Sequence, residues 1–317
     1  MKIAAISIAA ALIAVTGLAA HPPPGSVVVA TQRFLTGYPF PPIPSTGRLE
    51  IYTESGAFVE TLWDPGVAIG DVGTDPQQSI YASVGGGVKR FDPDGTFTFL
   101  RLPIAGALAL DRSRSVVVSG VQMILKLLAD GQIVGPFSTG APYGAQIDLA
   151  ADQCAVYFPL SRDPRGAPIR QINRFNVCLG TALPPLTAGV PLSNSGGLRL
   201  LPSGEILITN SAGVHLLTSD GALTRTYPLP DARYLAIAPT AEAFWVTVDR
   251  TASLIDLASG ATLASLTAAD AIIGIAVMGE PRAAFAEPAA IPLFSPETAI
   301  LLLAALAGVG LFALPRL

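Results

Sequence analysis

Charge is scarce in this chain. Charged residues fill 13% of its 317 positions, about half the share of an ordinary soluble domain, and 19 Lys and Arg against 23 Asp and Glu leave a formal net charge of −4. No basic stripe gathers the cations, which excludes a nucleic-acid partner. Histidine is scarcer still, with His21 and His215 alone. The chain has no His-Glu-x-x-His pair and no Gly-x-Ser-x-Gly elbow. Gly85-Gly86-Gly87 lacks the Lys-Ser/Thr sequel of a phosphate loop. Asp92-Pro93-Asp94-Gly95 lacks the downstream Glu of a calcium loop. Both read as turns. Cysteine is limited to Cys154 and Cys178, and an even count in an exported chain favours a disulfide.

What is abundant is apolar, and part of it lies at the two ends. Met1–Ala20 carries Lys2, the run Ile3–Val15 and then Gly17-Leu18-Ala19-Ala20, the layout of a secretory signal peptide cleaved after Ala19 or Ala20. Thr298–Leu314 is uncharged, just long enough to span a bilayer, and followed by Arg316. The expected organisation is a signal peptide over 1–20, one exported domain over 21–282, a Pro/Ala-rich linker over 283–297, and a transmembrane helix with a short basic tail over 298–317.

Between those ends the pattern is β. Val67–Leu102 reads as four short strands: Val67–Thr74, Ser79–Val84, Val88–Asp92 and Thr96–Leu102. The turns between them are Asp75-Pro76-Gln77-Gln78, Gly85-Gly86-Gly87 and Asp92-Pro93-Asp94-Gly95. Four strands in that length make one blade of a β-propeller. Similar units follow at Gly106–Phe137, Ala145–Leu186, Gly197–Leu229 and Tyr234–Leu266, with late turns at Ala129-Asp130-Gly131, Ser219-Asp220-Gly221 and Ser259-Gly260. The region before Trp63 supplies only three strands, and Ile272–Met278 is left over. Pairing that orphan with the first blade predicts an all-β, six-bladed propeller closed by its N- and C-terminal strands, with no blade left short of a strand and no free sheet edge.

Aligning the inner strands places Gly73, Ala109, Asp148, Arg199, Ala236 and Ala276 on the central channel. One step nearer the strand starts come Asp71, Ala107, Gln146, Gly197, Tyr234 and Gly274. The candidate pocket is therefore Asp71, Gln146, Asp148, Arg199 and Tyr234. These groups can receive a small ligand or cation, or Asp148 and Arg199 can simply neutralise each other as a buried pair. His215, within Val214-His215-Leu216, reads as a packed third-strand residue, and Trp63 and Trp245 read as core.

Two stretches carry resemblances. Ile291-Pro292-Leu293-Phe294-Ser295, the apolar span and the basic tail resemble the PEP-CTERM and IPTL-CTERM sorting signals of bacteria, departing from the IPTL class in Pro296-Glu297 and in a single terminal Arg. The segments Asp148–Cys154, Arg174–Cys178 and Leu198–Gly204 resemble secreted bacterial propellers of the NHL-repeat and gluconolactonase-like type. The second resemblance implies the fold. It also implies an alternative function, a metal-dependent lactonase or lyase. Such lactonases hold a divalent metal with Glu, Asn and Asp, whereas this channel supplies only Asp71 and Asp148. The sequence therefore favours a non-catalytic binding or scaffold module with no cofactor, a divalent cation such as Ca²⁺ being what the alternative requires. Its expected partner is an envelope or extracellular protein or a small ligand. The contact would be made at the tunnel set or at the loop Ser161–Pro168, with the membrane reached through the C-terminal helix.

Overall fold

The computed structural model describes residues 22–34, 44–102, 106–120, 123–139, 146–159, 170–192 and 196–281. The expected leader, His21, the loop Ser161–Pro168, the linker and the C-terminal span lie outside them. Among the described residues no helix is long and apolar enough to cross a membrane.

The chain forms six four-stranded antiparallel sheets, and the protein is a six-bladed β-propeller. Blade 2 shows how sequence becomes layer. Its strands are Ile69–Thr74, Ile80–Val84, Gly87–Phe91 and Phe97–Arg101, each within two residues of the expected bounds. Ile80–Val84 is buried at every position because neighbouring blades cover both its faces. Phe97–Arg101 is mostly exposed because it forms the outer edge. The first turns follow from one side chain: Asp75 Oδ1 accepts the Ser79 N–H at 2.7 Å, and Asp111 Oδ1 accepts the Ser115 N–H at 2.8 Å.

Blade 1 is assembled from both ends of the domain. Its order from the axis outward is Ala271–Val277, Val27–Phe34, Pro44–Tyr52 and Phe58–Trp63. The closing register pairs Val27 with Val277, Val29 with Ile275 and Gln32 with Ala271, with a bulge between Ala30 and Thr31. The other inner strands are Leu108–Leu110 in blade 3, Asp148–Leu149 in blade 4, Leu198–Leu200 in blade 5 and Leu235–Ile237 in blade 6. Each inner strand touches those of its two neighbours, and the cycle closes through blade 1.

The core is six wedges, one between each pair of adjacent blades. Val27, Val29 and Ile275 pack on Trp245 between blades 1 and 6, and Val28, Leu49 and Met278 pack on Ile80 between blades 1 and 2. Late-turn glycines let one blade rest on the last. Gly56 and Gly221 have φ of +89° and +96°, and a Cβ there would lie 2.1 Å from Ser265 O and 2.4 Å from Thr187 O of the preceding blades. Polar staples add to the wedges. Arg114 of blade 3 reaches Asp75 and Asp92 of blade 2, and Arg225 of blade 5 donates to Leu257 O and Ala258 O of blade 6.

Cys154 and Cys178 are joined in a disulfide, with Cα atoms 5.3 Å apart. The expected positions shift slightly: Cys154 precedes the second strand Ala155–Pro159, and Cys178 follows the third strand Gln171–Asn176. The bridge therefore ties the end of this hairpin away from residues 160–169 instead of flanking that connection. It closes a separation of 24 residues, so the double variant Cys154→Ala/Cys178→Ala is expected to lose about 3 kcal/mol. The measurement is the urea midpoint, and a reductant added to the native chain should give the same shift.

Candidate functional site

The inner strand of each blade turns one backbone edge toward the axis. Its N–H and C=O groups lack a sheet partner there and need side chains or water. The polar residues singled out from the sequence meet that need at two levels.

At the first level are Asp71 and Gln146, both fully buried. Asp71 Oδ1 accepts the Val72 N–H at 2.8 Å, and Oδ2 accepts the Leu108 N–H of blade 3 at 2.9 Å. Gln146 of blade 4 reaches past Gly197 of blade 5 to blade 6. Its Oε1 accepts the Leu235 N–H at 2.8 Å and its Nε2 donates to Leu235 O at 3.1 Å. The glycines at this level make the room. A Cβ on Gly274 would sit 2.9 Å from Asp71 Oδ1, and one on Gly197 would sit 3.0 Å from Gln146 Oε1. Tyr234 is partly buried here, and burial followed by the Asp71 charge pushes its hydroxyl up to about 12.

The second level repeats the pattern two residues further along the strands. Asp148 Oδ1 accepts the Leu149 N–H and Oδ2 accepts the Leu200 N–H of blade 5, each at 2.8 Å. Arg199 Nη1 donates to Leu198 O at 3.1 Å and Ile147 O at 3.4 Å. Its Nε donates to Glu280 at 3.2 Å, and the same Glu280 oxygen accepts the Ile237 N–H of blade 6 at 2.8 Å. Glu280 is the residue sequence reasoning missed. It follows the closing strand through Gly279, whose φ is +81°, and its side chain is only 4% exposed. A lone carboxylate right after an apolar inner strand was the available signal.

Three carboxylates thus surround one guanidinium in a dry place. Burial pulls the Arg199 pKa down, but Glu280, Asp148 and Asp71 outweigh it and hold it above the ordinary value. For Asp71, burial dominates and raises the pKa from 3.8 to about 7, against the pull of Arg199 and of its two N–H donors. A carboxyl whose folded pKa is raised contributes stability that is complete below its unfolded value and lost as pH rises through the folded value. The window here is about pH 4 to 7, and the loss is expected to be roughly 2–4 kcal/mol. His215 works the other way, because burial lowers its pKa and its contribution is lost as pH falls. The test is therefore a difference. Denaturant titrations of the native chain and of Asp71→Asn at pH 4.5, 6 and 8 should show the native advantage shrinking with rising pH, and a constant gap would contradict the assignment.

A divalent metal does not fit this donor set. Asp71 and Asp148 occupy successive levels, and both oxygens of each already accept backbone N–H groups. Among the described residues no group of three His, Cys, Asp or Glu is placed to hold a metal. Away from the axis, His215 is on a third strand, 5% exposed, with Nδ1 3.0 Å from Thr226 Oγ1 and Nε2 without a partner among the described residues. Trp245 is wholly buried, while Trp63 packs on Phe91 with the Lys89 ammonium 4.3 Å from its ring centre. A concavity of about 580 Å³ at the first-turn mouth takes Glu280 into its lining, with Pro76, Gln77, Arg112, Gly279 and Pro281.

No protein-family model matches the chain, and no curated protein matches it in sequence. Solved structures do match its fold. A chain of a nidogen/laminin complex is similar with a TM-score of 0.60 at 15% identity, over 81% of this chain and 100% of that one. A protein of unknown function from Bacteroides caccae gives a TM-score of 0.59 at 15% identity, over 81% and 100%. TolB from Acinetobacter baumannii gives 0.58 at 13% identity, over 80% of this chain and 66% of the TolB chain. At these identities the likeness establishes the six-bladed propeller and nothing finer.

Proposed function

We propose that the protein is an exported, envelope-associated propeller that acts as a non-catalytic binding or scaffold module. The carrying observation is the commitment of the axis. Asp71, Asp148, Gln146 and Glu280 each give an acceptor oxygen to a backbone N–H group of another blade. Groups held in that way knit a rigid ring and leave its loops to meet a partner. The concavity at the first-turn mouth is the natural place for an envelope or extracellular protein, or a small ligand, to seat on the ring. The signal-peptide pattern of Met1–Ala20 supports export, and the apolar run Thr298–Leu314 with its sorting-like flank supports membrane attachment or processing there.

The alternative, a metal-dependent lactonase or lyase, is separated by one experiment. Purified protein is analysed for bound metal and assayed for lactone and ester turnover with and without chelator. The binding-module reading expects neither stoichiometric metal nor turnover, and chelator-sensitive hydrolysis would overturn it.

A further inference from the structure

Away from the axis, two surface depressions share Thr53 and Glu54, at the turn between the third and fourth strands of blade 1. One, of about 290 Å³, is walled by prolines 22–24 and floored by Ile51 and Val59, with Glu54 and Glu60 on its border. The other, of about 520 Å³, runs to Leu263 on the outer strand of blade 6. Val59 and Leu263 are 53% and 58% exposed, and each lines a depression that shares the same turn. Among the described residues no Lys, Arg or His lines either depression. The charges in the described lining are Glu54 and Glu60, and neither is ion-paired among the described residues.

We propose that this surface docks a basic, apolar-flanked segment of a partner protein. Lys and Arg side chains lay their methylene stems on apolar walls and hold their charged heads at carboxylates, which matches prolines 22–24 and Val59 beside Glu54 and Glu60. Charge complementarity selects a cation, and the arrangement selects a chain. A small ammonium compound fills one depression and leaves Leu263 bare. An extended backbone crossing the turn reaches both, with a basic side chain on one side and an apolar one on the other. The inference rests on the binding-module reading but not on the axial mouth. Chelator-sensitive turnover would end that reading, whereas the variants below decide this surface alone.

The experiment uses the full-length chain and a fluorescein-labelled, amidated twelve-residue peptide of alternating Leu and Lys, followed by anisotropy. Glu54→Gln with Glu60→Gln is expected to weaken binding about tenfold. Val59→Ser with Leu263→Ser should weaken it by a similar factor. Glu205→Gln with Glu242→Gln, which removes two carboxylates elsewhere, should change it less than about twofold. A Leu–Gln peptide should not bind. The proposal fails if the Leu–Lys peptide does not bind, or if the two carboxylate pairs have equal effects. It also fails if spermine competes at the peptide's own affinity while Val59→Ser with Leu263→Ser changes nothing, because the occupant is then a small polyamine. All these positions are at least partly exposed, and an unchanged melting temperature confirms that each variant is folded.

Discussion

Arg199→Ala is expected to lower the unfolding free energy by about 3–5 kcal/mol, a large share of what holds an ordinary domain together. The cause is what the substitution leaves behind. Glu280 and Asp148 keep their backbone donors but lose the guanidinium whose charge acts on both, in a place where Arg199 itself is 5% exposed. The carbonyls Ile147 O and Leu198 O lose a donor as well. Arg199→Met distinguishes charge from bulk. It restores most of the volume, so a loss equal to that of alanine assigns the effect to electrostatics. Adding Glu280→Gln to Arg199→Met should recover part of the loss by removing one of the charges that Arg199 offset. The measurement is the urea midpoint at constant m-value. The deficit should shrink as pH falls, because protonating carboxylates that Arg199 no longer offsets lowers their mutual repulsion. A loss below about 1 kcal/mol would mean that water screens these groups and that the cluster is not electrostatically buried.

The ring was legible in the sequence because two repeated signals agree. Late turns such as Asp94-Gly95, Asp130-Gly131 and Asp220-Gly221 fall just before the outer strand of their blades. Inner strands repeat a large–small–large pattern at Leu108–Leu110 and Leu235–Ile237. Alternation then sets which side chains face the axis, and the two levels Asp71/Gln146 and Asp148/Arg199 follow from the register. The partners were not legible. Asp71 binds the backbone of blade 3 and Gln146 that of blade 6, so each bond depends on where another blade's N–H points. Composition records no such direction. A buried pair with Asp148 is one of the two readings the sequence allows for Arg199, and its charge does feel that carboxylate. The atom that takes its Nε–H belongs to Glu280, in a turn beyond the last repeat, where strand alternation no longer applies. The cysteines show the same limit on a smaller scale. Their pairing followed from number and expected compartment, but their places in the turns depended on strand ends that pattern sets only to within a residue or two.

Closure is the feature on which the other five blades depend, and a chain ending at Asp270 should not fold. That truncation removes the inner strand Ala271–Val277 together with Met278 and Glu280. Ile272, Ile275, Val277 and Met278 are 0–3% exposed, and burying each side chain of this size contributes about 1.5–3 kcal/mol. Their sum is comparable to the whole stability of a typical domain, roughly 5–15 kcal/mol. More is lost than those four side chains. Val27, Val28 and Val29 would face water on an unpaired edge, and the wedges between blades 6 and 1 and between blades 1 and 2 would both open. Glu280 would no longer hold Arg199. The full chain should therefore melt in one cooperative transition with a strong near-ultraviolet circular dichroism signal, and the truncated chain should show neither. Ile275→Glu tests the same joint with a single residue, placing an unpaired charge where the side chain is fully buried, and is expected to cost at least 3–5 kcal/mol. If the truncated chain kept its cooperative melt, five blades would be holding themselves together without the ring. The pairing of Val27 with Val277 would then be an accessory contact instead of the seal.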